Sequence, residues 1–192
     1  GVNSTGGLAV PLLLERLGVE PIKLHCTPNG HFPHNPEPLK AHLTDLSEKV
    51  VQTGADFGIA VDPDVDRLAF MDEKGELFGE EYTLVACADY VLSQNKGNTV
   101  SNLSSTRALR DVTEKHGGTY TASAVGEVNV VNAMKANKAV IGGEGNGGVI
   151  LPEAHYGRDA LVGIALFLSL LAEKQIAVSA LKNTYPLYFM SK

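Results

Sequence analysis

Short apolar runs and amphipathic stretches alternate along this chain, separated by turns rich in glycine, proline and asparagine. Gly1 to Gly7 reads as a turn offering hydroxyl and amide caps. Leu8 to Leu17 has helical spacing and is closed by Gly18. Pro21 to His25 is expected as a short strand, and Thr27 to Pro38, with its four prolines, as a long loop. Leu39 to Thr53 is an amphipathic helix ending at Gly54. Phe57 to Val61 and Leu68 to Met71 are apolar strands either side of an acidic loop, followed by a turn at Asp72 to Gly75 and a helix from Tyr82 to Ser93.

The polar stretch Asn95 to Asn98 marks a boundary, giving units of residues 1–95 and 96–192. The second unit repeats the alternation. Strands are expected at Thr99 to Leu103, Thr119 to Ala122, Ala139 to Ile141 and Val149 to Leu151. Helices are expected from a cap at Ser104–Thr106 to Lys115, over Glu127 to Lys135, over Asp159 to Glu173 and over Val178 to Thr184. Strands separated by helices of about 10–15 residues predict an α/β class, here two α/β/α sandwich domains with mixed, mainly parallel sheets.

Composition narrows the function classes. Hydrophobic residues make up 44% of the 192 positions, enough for a core. The longest apolar helix candidate, Ala160 to Ala172, is too short for a bilayer, so no membrane association is expected. A formal charge of −6 without a basic patch argues against nucleic acid. Cys26 and Cys87 sit far apart in apolar segments and read as reduced thiols of a cytoplasmic protein, and no signal peptide is read at Gly1.

The densest chemistry lies at Asp62-Pro63-Asp64-Val65-Asp66-Arg67. In an extended segment alternate side chains share a face, so the three carboxylates are expected to converge. They would repel one another unless a cation sat among them, and an all-oxygen set suits a hard one, Mg²⁺ or Ca²⁺. An EF-hand loop would put Glu73 at its twelfth position, but it needs glycine where Arg67 stands, so that reading fails. Arg67 beside a divalent cation is equipped to grip a phosphoryl oxygen; the alternative is that it only neutralises a spare carboxylate.

Gly142 to Gly148 forms a second constellation. It matches the spacing of a dinucleotide loop, but the run Val149-Ile150-Leu151-Pro152 follows where a helix should open. What remains is a tight loop presenting Glu144 and Asn146, a pair suited to sugar hydroxyls, with a plain glycine-rich hairpin as the alternative. Arg158 could reach an anion, and Asp159 is placed to cap the following helix. His31, His34, His155, Tyr156 and Ser104–Thr106 read as loop or capping residues.

Asp62 to Arg67 resembles the D-x-D-x-D-R metal loop of the α-D-phosphohexomutases, the phosphoglucomutase/phosphomannomutase superfamily. Gly143 to Gly148 resembles that family's sugar loop, usually G-E-x-S-G-H. Gly1 to Gly7, Phe32 to Pro38 and Val125-Gly126-Glu127 are also similar, in the family's order. The resemblance implies transfer of phosphate between C1 and C6 of a hexose phosphate, through a phosphoserine and a bisphosphorylated intermediate. It implies Mg²⁺ on Asp62, Asp64 and Asp66, Arg67 at the phosphoryl group, and Glu144, Asn146 and Arg158 toward the substrate. Gly148 stands where the histidine is usual.

The serine loop and the distal phosphate loop are not found in this chain, so it is expected to be the second and third domains only, inactive without flanking domains of the same parent. Two rival readings are a non-catalytic module that binds sugar phosphate and regulates a partner, and a metal-dependent phosphatase with Asp62 as nucleophile.

Overall fold

Two sheets of different kinds carry the chain in the computed structural model, which describes residues 1–188. The first is a two-stranded antiparallel ribbon of β1 (Gly58–Val61) and β2 (Leu68–Met71). It is preceded by α1 (Gly6–Arg16), a single 3-10 turn at Lys40–His42 and α2 (Thr44–Thr53). After α3 (Glu80–Gln94) comes a four-stranded mixed sheet in the order β4-β3-β5-β6. Its strands are β3 (Asn98–Asn102), β4 (Tyr120–Ser123), β5 (Ala139–Glu144) and β6 (Gly148–Ile150). β3 pairs in parallel with β4 and β5, across the helices α4 (Ala108–Lys115) and α5 (Glu127–Asn137); β5 and β6 form an antiparallel hairpin. Helices α6 (Ala160–Lys174) and α7 (Val178–Lys182) complete the described residues.

Local chemistry sets the helix ends. Gly54 takes φ +65° and stops α2 with a left-handed turn that a side chain would strain. Asp159 starts α6 by accepting the amides of Leu161 at 2.8 Å and Val162 at 3.1 Å. Pro21 to His25, expected as a strand, forms none, because no strand among the described residues pairs with it. The expected helix from Leu39 is broken: Leu39 is extended and Leu43, at φ −108°, separates the 3-10 turn from α2 while burying its own side chain. The expected loop from Gly142 is shorter, since β5 continues to Glu144. Ser104 and Ser105 donate to Asn102 Oδ1 rather than starting α4, which begins at Ala108.

One apolar core spans both sheets. α3 is buried on nearly every side, as expected of a helix that is apolar all round. It packs against α4 and α6 and reaches β2, β5 and β6. The Phe70 and Phe167 rings stack 3.8 Å apart, and Phe78 meets Phe167 edge-on at 5.2 Å. Cys87 is fully enclosed in this core, and burial pushes its thiol up to about 12, so it is inert at neutral pH. No helix among the described residues is long and apolar enough to cross a membrane.

The core's reliance on Phe167 is testable. Phe167→Ala removes a fully buried ring that three other phenylalanines touch, and it is expected to cost about 3–5 kcal/mol by urea unfolding. A loss below about 1 kcal/mol would place the ring outside the cooperative core.

Candidate metal and anion site

The acidic loop bridges β1 and β2, and its convergence comes from a turn rather than from extended backbone. Val65 sits at φ +62°, a conformation that β-branched residues rarely adopt. The Val65 amide donates to the Asp62 carbonyl at 3.2 Å. Asp62 Oδ1 in turn accepts the amides of Asp66 and Arg67, each at 3.0 Å. This folds the loop so that one oxygen from each of Asp62, Asp64 and Asp66 lies within 4.8 Å of the others. Asp62 is buried, Asp66 half-buried and Asp64 exposed. Burial, with Asp66 and Asp64 beside it, pushes the Asp62 carboxyl up to about 6 against the pull of the Arg67 backbone bond. Its ionised form is therefore disfavoured in the fold unless positive charge joins it. By sign, this group favours the folded chain as pH falls through about 6 toward its usual value.

Two arginines face these carboxylates. Arg67 Nη1 donates to Glu37 Oε1 at 2.9 Å, while its Nε lies 3.8 Å from both Asp62 and Asp66 without a hydrogen bond. Arg158 comes from the other sheet. Its Nη1 donates to Glu144 Oε2 at 2.9 Å, its Nη2 to Asp66 Oδ2, and its Nε stands 3.3 Å from Glu127 Oε2 without hydrogen-bond geometry. Asp62, Asp66, Glu37, Glu127 and Glu144 thus share two guanidiniums, and Asp64 adds a sixth carboxylate to the cluster. The donor set is hard oxygen in excess of local positive charge, which fits a divalent cation such as Mg²⁺.

Glu144 ends β5 beside the carboxyl end of β3, where Asn102 Nδ2 donates to its Oε1 at 2.8 Å. A carboxylate has about four lone-pair positions, so both oxygens retain acceptor capacity. Asn146 uses its side-chain oxygen to accept the Gly148 amide at 3.2 Å, which leaves its amide nitrogen as the available donor. Gly147, at φ +91°, presses on β2: its carbonyl accepts the Leu68 amide at 3.1 Å, and a Cβ there would sit 2.3 Å from the Leu68 oxygen. The Ala160 amide likewise donates to the Val65 carbonyl at 3.0 Å. All seven residues singled out in the sequence therefore lie along this seam, with Arg158 directly joining Asp66 to Glu144.

Sequence reasoning missed Glu37, Glu127, Asn102 and Ser4, whose hydroxyl donates to the Pro63 carbonyl at 2.9 Å. Glu37 and Glu127 lay inside segments already noted for resemblance, and their charge was the only available signal. His155 bonds Asp159 at 2.9 Å, and Tyr156 lies under Lys135, 4.7 Å from its ring centre. His31 and His34 are not among the three-carboxylate cluster.

Against known proteins, residues 1–75 match the model described as phosphoglucomutase/phosphomannomutase, alpha/beta/alpha domain II, and residues 79–188 that for domain III. A phosphoglucomutase/phosphomannomutase of Thermococcus kodakarensis is 36% identical over 192 residues, 99% of this chain and 42% of its own. The crystal structure of a phosphoglucomutase/phosphomannomutase family protein from Burkholderia thailandensis superposes with TM-score 0.88 at 31% identity, covering 98% of this chain and 42% of that one. An Aspergillus fumigatus N-acetylphosphoglucosamine mutase, solved with GlcNAc-6P and magnesium, shares the fold at TM-score 0.62 and 16% identity, covering 96% of this chain and 44% of that one. The chain spans about two-fifths of the length of the curated relatives it matches.

Arg158 holds this seam electrostatically. Arg158→Met keeps the aliphatic stem but strands Asp66 and Glu144, and is expected to cost about 2 kcal/mol. That is below the ~3–5 kcal/mol of a fully buried pair, because Asp66 keeps 21% of its side-chain surface exposed. Urea midpoints measured without added metal check this; an unchanged midpoint would show the contacts to be energetically idle.

Proposed function

Because the chain belongs to the phosphoglucomutase/phosphomannomutase family, we propose that it forms the metal- and sugar-facing half of a Mg²⁺-dependent hexose-phosphate mutase. The observation that carries this reading is the three-aspartate cluster, within 4.8 Å, joined through Arg158 to the Glu144 loop. Relatives with these domains are named as phosphomutases, enzymes of the isomerase class. In this reading the parent protein moves phosphate between C1 and C6 of a hexose phosphate. The phosphoryl group is held on a serine outside these residues, with a bisphosphorylated sugar as intermediate. The 192 residues alone bind but do not turn over.

Asp62, Asp64 and Asp66 would hold Mg²⁺, and the bound ion would supply positive charge toward phosphoryl oxygens. Asp62 is fixed by two backbone amides, so its free oxygen is pre-aimed and little ordering is lost on binding. Arg67 adds a planar, permanently charged donor next to that position; an arriving phosphoryl group would replace Glu37 as its partner. Glu144 would accept from sugar hydroxyls and Asn146 would donate to a sugar oxygen. Arg158 would keep Asp66 and Glu144 in register, a positioning part rather than the open anion contact expected from its sequence position.

Mg²⁺ titration by calorimetry tests the site. The wild-type chain should bind, and Asp64→Ala should weaken binding at least tenfold; Asp64 is exposed, so the fold should survive its loss. Affinity should be flat above pH 6 and fall about tenfold per pH unit below it, because Asp62, held up to about 6, must lose its proton to coordinate. Equal binding by wild type and Asp64→Ala, or affinity independent of pH between 5 and 7, would overturn the assignment.

A further inference from the structure

Arg158 enters the seam from the loop between β6 and α6, and a side chain with no part so far closes that loop. Backbone bonds pin its two ends. The Ala154 and His155 amides both donate to the Leu151 carbonyl, at 2.9 and 3.0 Å, and the Asp159 amide donates to the Val149 carbonyl at 2.8 Å. Among the described residues, no backbone–backbone hydrogen bond reaches 156–158 between them. The Arg158 amide turns to Glu127 Oε1 at 3.3 Å, and the His155 imidazole holds the rest. The Gly157 amide donates to its Nδ1 at 3.0 Å, and its Nε2 lies 2.9 Å from Asp159 Oδ2. The ring therefore clips together the two residues on either side of Arg158.

These two bonds fix the ring's proton. A backbone N–H can only donate, so Nδ1 presents its lone pair to Gly157, and Nε2 carries the hydrogen that goes to Asp159. Asp159 Oδ1 already caps α6, which leaves Oδ2 for the ring. The neutral imidazole thus satisfies both partners at once. A second proton, on Nδ1, would set two donors against each other and cost the Gly157 bond, while the pairing with Asp159 gained charge. The other charged groups on and around the loop are Glu153, Arg158 itself, and Glu127 and Lys135 of α5, which meet Arg158 and the Tyr156 ring. With 50% of its side-chain surface exposed, His155 is open to protons from solvent. A half-exposed His–Asp contact on its own contributes little. The second bond, to an amide on the opposite flank of Arg158, is what separates aiming a loop from merely supporting a helix cap.

We propose that His155, as the neutral Nε2–H tautomer, is a positioning residue that aims Arg158 between Asp66 and Glu144. The guanidinium keeps its charge at every relevant pH; what His155 sets is where that charge stands. The inference rests on the proposed function only for what Arg158's placement serves. The clip and its test need neither metal nor sugar.

Nuclear magnetic resonance on the nitrogen-labelled chain, without added metal, tests it. At about pH 8, where histidine is neutral, the His155 ring should show the Nε2–H tautomer. The Gly157 amide should exchange at least tenfold more slowly than in an open chain, and the Arg158 Nη protons should give separate signals, as a guanidinium held on two acceptors does. His155→Ala should lose both signatures. His155→Asn places an oxygen where Nδ1 stood and should restore them, whereas His155→Gln, whose nitrogen stands near Nε2, should not. Lowering the pH until the wild-type ring is seen to take its second proton should free Gly157 and Arg158, and His155→Asn should keep them held over the same range. An Nδ1–H tautomer, an unchanged Arg158 spectrum in His155→Ala, or rescue by glutamine and not by asparagine would overturn the proposal. Should His155→Ala lower the thermal midpoint by more than about 5 °C, the asparagine and glutamine variants decide it, since they differ in which bond they keep. A failed clip with Mg²⁺ still bound strikes this inference alone, and an intact clip without Mg²⁺ binding strikes the metal assignment alone.

Discussion

The contact on which the rest of the seam depends is the approach of Gly147 to Leu68. A turn in the second sheet puts its carbonyl on the first residue of β2, with no room between the backbones for a Cβ. The Leu68 carbonyl also accepts the Thr83 hydroxyl of α3 at 3.1 Å, and its side chain packs where Gly163 of α6 has none. One residue is thereby held by a turn and two helices. The acidic loop that ends at Leu68 inherits that rigidity, and Val65 can be kept at a disfavoured positive φ because both of its flanks are tied down. Rigid placement matters for a cation site, since ligands that are already fixed lose little freedom on binding.

Electrostatics adds a second constraint that packing alone would not produce. A buried Asp62 with two acidic neighbours is a strained arrangement in the absence of added positive charge, as its raised carboxyl shows. Arg158 relieves Asp66 and Glu144, while Arg67 is drawn toward Glu37 and keeps only its Nε near Asp62, at 3.8 Å. The negative excess is thus concentrated where the three oxygens converge. Carboxylates gathered in this way repel one another, and any positive charge placed among them lowers that cost.

Much of this was legible in sequence, for reasons that differ by element. The acidic loop stood out because three aspartates between apolar runs have no structural purpose in a core. The Asp159 cap and the Gly54 stop were readable because their signals are local. What failed was non-local. Pro21 to His25 has the composition of a strand, yet a strand is made by its neighbour, and none of the described residues pairs with it. The aspartates were expected to converge through alternation, but a turn at Val65 brings them together, and nothing about valine announces positive φ. Glu37 and Glu127 reach Arg67 and Arg158 from 30 and 31 residues away, a separation that no spacing rule covers.

Gly148 shows how one departure from the family's usual pattern becomes intelligible only in three dimensions. In sequence it stands where the resembling motif usually has histidine. In the fold, a Cβ at this position would lie 2.5 Å from Cδ of Arg158 and 3.2 Å from its Cγ. The space a larger residue would fill is therefore occupied by the stem of Arg158, whose head joins Asp66 to Glu144. A bulky residue at 148 and an arginine in this pose at 158 exclude each other. The glycine is thus the condition for this pose of Arg158, through which positive charge enters the seam just ahead of α6. Because guanidinium stays charged at every relevant pH, the link between the two sheets does not titrate as a histidine would.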